Sequence, residues 1–210
     1  MKPTSTLFLN KNEQIHKTHG SLPHWFQDGK LQFVTFRLAD SIPVVKAIEI
    51  KNGRKAFEKQ YPRPWDEEVL KRYQMLYGRI EDELLDAGYG SCVLKKPEIR
   101  KIVIDSFNFV DGNRCEVWAY VIMPNHIHII LLPLEENTLE GIIGSVKGFT
   151  GREINKYLGR AGELWQRESF DRIVRNRDSL LRYVEYIKEN PRNLAEGEYE
   201  LYINYSLIYG

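Results

Sequence analysis

The segment EVWAYVIMPNHIHIILL, residues 116–132, consists of two apolar, β-branched runs on either side of a short polar break. Runs of this length, rich in valine and isoleucine and bounded by turn residues, predict β-strands. We therefore predict one strand at Glu116–Met123 and a second at His126–Leu132, joined by a tight turn at Pro124-Asn125. Strands joined by so short a connection pair antiparallel, so the segment predicts the hairpin of an antiparallel sheet.

The rest of the chain alternates between strand and helix patterns. Strands are predicted at Leu31–Leu38 and Phe170–Arg175, and helices at Val44–Ala87 (with a break at residues 61–64), Pro97–Phe109, Thr138–Leu158 (with Thr138 as N-cap) and Ser179–Glu189. Residues 1–30 are expected to be irregular, and the Tyr-rich tail fits neither pattern clearly. This order predicts an α+β fold, with helices packed on an antiparallel sheet in an arrangement close to the ferredoxin-like one.

The composition indicates one folded domain. The chain has 210 residues, of which 42% are hydrophobic and 12% aromatic, enough for one buried core. No repeat or linker divides it, so we predict a single domain over residues 1–210. No apolar run is long enough to span a membrane, and the N-terminus lacks the apolar centre of a signal peptide. Cys92 and Cys115 show no disulfide or zinc spacing, which is typical of a cytoplasmic protein.

Positive charge is concentrated in one segment, although the net charge of the whole chain is only +1. Residues 144–182 contain nine Lys or Arg and five Asp or Glu, a local net charge of +4. The basic residues of this segment are Lys147, Arg152, Lys156, Arg160, Arg167, Arg172, Arg175, Arg177 and Arg182. A local basic field attracts phosphates. A solvated helix face is the alternative explanation.

His126 and His128 lie two residues apart on the second strand of the hairpin. Residues two apart on a strand point to the same face, so the two imidazoles lie side by side while Ile127 points to the opposite face. Two adjacent imidazoles are half of a metal site. Packing or hydrogen bonding on the sheet surface is the alternative, but burying two imidazoles in an apolar run costs free energy unless they gain partners.

Two other classes of histidine site find no support in the sequence. A cupin-like metal site requires a glutamate and a further histidine downstream, and neither follows at a suitable place. A histidine-triad hydrolase requires a third histidine where Ile130 stands.

The predicted helix Ser179–Glu189 carries a tyrosine and is followed by an amide. A helix advances about 100° per residue, so residues four positions apart are neighbours on its surface. Tyr186 and Asn190 are such a pair, and they lie beside the apolar stripe that faces the core. A nucleophile and a metal-ligand amide can therefore face one site from the same helix. Tyr183 lies nearby and competes for the role of nucleophile, while a structural role is the ordinary one for any single tyrosine.

Six motifs occur in this order along the chain: FVTFRL (33–38), MPNHIH (123–128), SVKGFT (145–150), LWQ (164–166), FDRIVR (170–175) and YIKENP (186–191). Together they resemble the single-tyrosine HUH transposases, and most closely the REP-associated tyrosine transposases. The resemblance covers residues 31–38 and 113–191. One His-x-His is a weak signal, whereas the ordered set is specific.

The resemblance implies a metal-dependent endonuclease and strand transferase that cuts single-stranded DNA and forms a 5′-phosphotyrosine intermediate. It implies Tyr186 as nucleophile, with a divalent ion, Mg²⁺ or Mn²⁺, held by His126, His128 and Asn190. The residues expected to contact single-stranded or hairpin DNA are Lys147, Arg152, Lys156 and Arg175. Whether the protein acts as a monomer or a homodimer is left open.

The chain also departs from the family pattern. Residues 41–96 are a charged helical stretch beyond the catalytic core, to which the resemblance gives no role, and residues 192–210 lack the usual turn after Asn-Pro. Two alternatives share the core: a relaxase or replication initiator, and a DNA-binding descendant without activity. Relaxases and initiators often carry further domains, and an inactive descendant is expected to have lost Tyr186 or a histidine.

Overall fold

A computed structural model describes residues 7–10, 12–13, 16–19, 23–134 and 136–210. Its elements in chain order are β1 (His16–His19), β2 (Pro23–Phe26), β3 (Gln32–Arg37), α1 (Val44–Gln60), α2 (Glu67–Asp86), α3 (Pro97–Val110), β4 (Cys115–Ile122), β5 (His126–Pro133), α4 (Leu139–Tyr157), β6 (Phe170–Ile173), α5 (Arg177–Glu189), β7 (Glu200–Ile203) and α6 (Tyr205–Tyr209). None of the helices in these described ranges is both long and apolar enough to cross a membrane.

The main sheet has the strand order β6-β3-β5-β4-β7, and every neighbouring pair is antiparallel. Four of its strands, with helices in the connections β3–β4 and β5–β6, reproduce the β-α-β-β-α-β connectivity of the ferredoxin-like fold. The predicted α+β fold is confirmed.

Two expectations about the ends of the chain were incomplete. Within residues 1–30, which we expected to be irregular, β1 and β2 form a separate two-stranded antiparallel sheet. In the ambiguous tail, β7 pairs with β4 and adds a fifth strand to the main sheet. Each of these strands has only four residues, which is too short for an alternating apolar pattern to emerge from the sequence.

The two faces of the sheet are covered by different helices. On β5, Ile127, Ile129 and Leu131 face a core shared with α3 and α4. The alternate residues Ile130 and Leu132 face a second core, in which Leu180, Val184 and Ile187 of α5 are fully buried. We call this second side of the sheet the α5 face. Successive residues of β5 face opposite cores because the side chains of a strand alternate between its two faces.

Local signals fix both ends of α5. The Asn176 side chain accepts a hydrogen bond from the Ser179 amide, which caps the first turn. Asn190 is the C-cap, and Pro191 follows it, so the helix ends where a proline prevents its continuation. The cap and the core stripe together place Tyr186 and Asn190 over the sheet.

Helices α1 and α2 form a hairpin, within residues 41–96, that has an apolar cluster of its own. Phe57 of α1 packs there against Trp65 and Tyr73. The hairpin is anchored to the α5 face, because Arg172 of β6 donates a hydrogen bond to the Gln74 carbonyl of α2. A side chain at Gly78 of α2 would meet that guanidinium, so a larger residue there would displace the Arg172 side chain from its position against α2.

Candidate active site

The two histidines lie on the α5 face of β5 and are almost completely buried. Each side chain has 1% of its surface exposed, and the ring centres are 4.8 Å apart. Opposite them on β3, Thr35 pairs with His128 and Arg37 pairs with His126. Burial lowers the pKa of His126 to about 3 and lowers that of His128 well below its usual value. Both imidazoles are therefore neutral near pH 7, the form that binds metal ions.

Asn125 determines which nitrogen of His126 carries the proton. The Asn125 amide nitrogen donates hydrogen bonds to the carbonyls of Leu85 and Tyr89, at 3.3 and 3.0 Å. Its oxygen therefore faces His126 Nδ1, 2.8 Å away. Since an amide oxygen can only accept, Nδ1 must be the protonated nitrogen. The lone pair of His126 is then on Nε2.

His126 Nε2 and Asn190 Oδ1 are both buried, and neither has a hydrogen-bond partner among the described residues. The Asn190 amide lies close enough to favour a proton on His126. With the imidazole neutral and its proton on Nδ1, however, Nε2 can only accept, so both of these buried acceptors lack a donor among those residues. A buried acceptor without a partner costs about 1–3 kcal/mol, and a cation satisfies both atoms at once. This donor set fits a divalent metal ion.

His128 is held by contacts at both nitrogens. Its Nδ1 lies 2.7 Å from the Thr35 hydroxyl, and its Nε2 lies 3.3 Å from the Tyr186 hydroxyl. The Phe33 ring stacks on the imidazole at 5.6 Å between centres. When Nδ1 donates to Thr35, the Nε2 lone pair points toward Tyr186. His128 is thus oriented as a metal ligand is by its outer contacts.

Tyr186 projects from α5 toward His128 and is surrounded by polar groups from three elements. Burial raises the pKa of its phenol, and the negative charges of Asp82 and Asp86 on α2 raise it further, while the Asn190 amide lowers it. The free protein therefore holds Tyr186 as a neutral phenol. To act as a nucleophile, a phenol in this state has to lose its proton.

Tyr183, the competing tyrosine on α5, has a packing role. Its ring stacks on Phe33 with the centres 4.4 Å apart and the planes 7° apart, and it belongs to the core beneath α5. None of the contacts described for its ring involves a histidine or Asn190.

The four side chains predicted to contact DNA lie in different surroundings. Lys147 of α4 is half-buried beside Arg37 and donates hydrogen bonds to the Arg167 carbonyl and the Ser169 hydroxyl. Arg152 and Lys156, also on α4, are exposed. Helix α4 packs on the face of the sheet opposite the histidines.

Arg175, the fourth of these residues, follows β6 and forms an ion pair of 3.0 Å with Glu67 of α2. Lys147 interacts electrostatically with Arg37, which pairs with His126 on the sheet.

A groove beside the histidines adds residues that the sequence did not suggest. It is lined by Thr35, Arg37, Arg54, Asp82 and Glu168, among others. Thr35 and Arg37 were detectable, because they are polar residues at alternating positions of an otherwise apolar strand. Asp82 had no such signal, because its position depends on how α2 packs against the sheet.

The donor atoms that the described residues place near the two histidines include no cluster of carboxylates. Within the described part of the chain, no group of three or more His, Cys, Asp or Glu side chains is arranged to hold a metal ion. The Asn190 amide oxygen is a buried oxygen atom without a hydrogen-bond partner among the described residues, and its side chain interacts with His126.

Comparisons with known proteins identify one family model and a similar solved structure. A family model described as "Transposase IS200 like" matches residues 69–190, from α2 to the C-cap of α5. Among solved structures, the chain is similar to a REP-associated tyrosine transposase bound to a REP hairpin, with 17% sequence identity, a TM-score of 0.43, and coverage of 81% of this chain and 71% of that one. No curated protein matches. Since the family model spans more than half of the sequence, the chain belongs to the IS200-like transposase family.

Proposed function

We propose that this protein is a metal-dependent transposase that cuts and rejoins single-stranded DNA through Tyr186. The observation that carries the proposal is the pair of buried acceptors without partners, His126 Nε2 and Asn190 Oδ1, beside the Tyr186 hydroxyl. Such an arrangement costs free energy in the free protein, so we infer that it is kept for a ligand. Membership of the transposase family supports the same conclusion.

His126, His128 and Asn190 would hold the ion, Mg²⁺ or Mn²⁺. When bound, it supplies a Lewis acid for the oxygens of the scissile phosphate. Asn125 and Thr35 hold the imidazoles so that the two Nε2 atoms are available as ligands. Two imidazoles and one amide leave coordination positions for phosphate oxygens.

Tyr186 would act as nucleophile. Its phenolic oxygen forms a bond to phosphorus while the bond from phosphorus to the 3′-oxygen breaks, which leaves a 5′-phosphotyrosine and a 3′-hydroxyl. The phenol loses a proton in this step, and the 3′-oxygen gains one. Because the phosphodiester energy is retained in the covalent link, another 3′-hydroxyl can attack it and rejoin the strand without ATP.

We infer that the substrate is single-stranded or hairpin DNA. Tyr186 is partly buried and lies on a helix packed against the sheet, so a phosphate within a regular duplex cannot readily reach it. Lys147 and Arg37 place two cations near the histidine strand, which favours a phosphate there. The similar solved structure contains a REP hairpin.

The test uses 5′- and 3′-labelled hairpin-bearing single strands taken from the DNA that flanks the gene. With Mg²⁺ or Mn²⁺, we expect a cut strand with a free 3′-hydroxyl and a covalent adduct that survives denaturing electrophoresis. EDTA should abolish both products. Cleavage that is unaffected by EDTA, or products that carry no protein on the 5′-phosphate, would overturn the proposal.

A further inference from the structure

Helix α2 lies within residues 41–96, to which the sequence resemblance assigned no role, and it brings a carboxylate close to Tyr186. Asp82 lies one turn after Gly78, on the face of α2 that approaches β6, and it lines the groove beside Thr35 and interacts with the Tyr186 hydroxyl. The preceding Glu81 turns elsewhere and pairs with Arg54 at 3.0 Å. The hairpin formed by α1 and α2 thus places one of two adjacent acids against the phenol.

We propose that Asp82 is a catalytic residue that accepts the proton of Tyr186 as the tyrosine attacks the phosphate. The inference rests on the proposed function, since it concerns the same nucleophile. It adds a proton acceptor from α2 to a site whose other groups come from the sheet and from α5.

The hydrogen bonds of His128 determine which group can accept the Tyr186 proton. His128 ligates through Nε2 only when its Nδ1 carries the proton and donates to Thr35. With Nε2 used as a ligand, the Tyr186 hydroxyl no longer has an acceptor on that imidazole. Asp82 is then the acceptor left to it among the contacts described here.

The step balances in both directions. In cleavage, the Tyr186 proton moves to the Asp82 carboxylate while the oxygen–phosphorus bond forms, and the departing 3′-oxygen takes a proton from water. In rejoining, a 3′-hydroxyl loses its proton to water and attacks phosphorus, and protonated Asp82 returns its proton to the leaving phenolate. No oxidant, reductant or further reactant is needed.

The surroundings of Asp82 suit a group that exchanges protons near neutral pH. Burial raises the pKa of Asp82 to about 6, while Arg172 of β6 and the Tyr186 hydroxyl lower it and the neighbouring acids Asp86 and Glu81 raise it. Arg37 of β3 and Arg54 of α1 line the groove that contains it.

The test is the single-turnover rate of adduct formation as a function of pH, for wild type, Asp82→Asn, Asp82→Glu and Glu83→Gln. Loss of a general base typically slows a reaction roughly 100- to 10,000-fold, and we expect a loss in this range for Asp82→Asn. Asp82→Glu should recover part of the rate. The wild-type rate should rise with pH through the pKa of Asp82, and this inflection should be absent in Asp82→Asn.

Glu83→Gln is the matched control, because Glu83 is exposed on the same helix and pairs with Arg79. It should retain the wild-type rate and pH profile. Unchanged Tm and Mn²⁺ affinity in Asp82→Asn would show that neither folding nor metal binding explains its loss. A normal rate and pH profile in Asp82→Asn, or a loss that follows reduced Mn²⁺ affinity, would overturn the role of Asp82. Failure of wild type to form any adduct would instead overturn the proposed function.

Discussion

The hydroxyl oxygen of Tyr186 lies 3.3 Å from Nε2 of His128, the imidazole nitrogen that faces α5 rather than Thr35. The atom proposed as nucleophile therefore contacts the atom proposed as metal ligand. In the free protein this contact satisfies His128, whereas Nε2 of His126 has no partner among the residues described. One of the two imidazoles thus lacks a hydrogen-bond partner at Nε2 in the described part of the chain, and we expect a cation to bind there.

Metal binding should depend on both imidazoles and on the amide. We expect His126→Ala to lose most Mn²⁺ affinity and Asn190→Ala to lose part of it, because each removes a donor atom. Asn193→Ala is the control, since Asn193 is an exposed amide just beyond α5. Isothermal titration calorimetry with Mn²⁺ measures the affinities. Equal affinity in His126→Ala and wild type would show that the ion binds elsewhere.

Asn125 should affect metal affinity without touching the ion. Its oxygen accepts the His126 Nδ1 proton and so directs the Nε2 lone pair into the site. Loss of such an outer contact typically reduces affinity by roughly 10- to 100-fold, and we expect this for Asn125→Ala. Asn125→Asp keeps an acceptor toward His126 and should bind Mn²⁺ more tightly than Asn125→Ala. The reverse order would contradict the tautomer assigned to His126.

DNA affinity should fall as pH rises above about 8. Burial, and then the charge of Arg37, lower the pKa of Lys147 to about 8. Below that pH the ammonium is present and attracts phosphate, and above it the charge is lost. Lys147→Arg stays charged and should bind DNA with little change between pH 7 and 9. The Kd for a labelled hairpin, measured by fluorescence anisotropy, gives the profile.

Lys156→Arg serves as the control for this profile, because Lys156 is exposed on the same helix. It should keep the wild-type decrease in affinity. A pH-independent Kd in wild type, or an unchanged decrease in Lys147→Arg, would show that Lys147 does not contact the DNA.

DNA binding should weaken with salt and should favour hairpins and single strands over plain duplex. Each neutralised phosphate contributes a slope of about −0.7 to −0.9 to log K against log salt, and the segment of residues 144–182 has a local charge of +4. Anisotropy titrations between low and physiological salt measure the slope. A flat response, or equal affinity for any duplex of the same length, is inconsistent with the account.

The sequence predicted those elements of the fold that are specified by continuous apolar runs or by helix-capping residues. The apolar runs on either side of Pro124-Asn125 predicted β4 and β5 within one residue at each end, because a buried strand needs a continuous apolar sequence. Thr138 was predicted as an N-cap, and its hydroxyl accepts a hydrogen bond from the Gly141 amide. Such signals depend only on neighbouring residues.

The parts that the sequence did not predict depend on tertiary packing. Four-residue β7 belongs to the sheet because β4 offers it a free edge, which no local pattern reveals. Asp82 is one of several acids on α2, and only the docking of this helix against β6, where Gly78 allows close approach to Arg172, brings it to Tyr186. Asn125 was visible within a motif, but its role required the carbonyls of Leu85 and Tyr89.

The central claim is that Tyr186, and not Tyr183, forms the covalent link to DNA. Tyr183 stacks on Phe33, whereas the Tyr186 hydroxyl contacts His128, Asp82 and Asn190. Tyr186→Phe removes one oxygen and should leave Tm and DNA affinity nearly unchanged while abolishing cleavage. Tyr183→Phe keeps its stacking ring and should retain most activity.

The most direct measurement is detection of the protein–DNA adduct on a denaturing gel, with labelled hairpin DNA and Mg²⁺ or Mn²⁺, for wild type and both variants. We expect to detect the adduct with wild type and with Tyr183→Phe, and to detect none with Tyr186→Phe. An adduct in Tyr186→Phe together with its absence in Tyr183→Phe would contradict it.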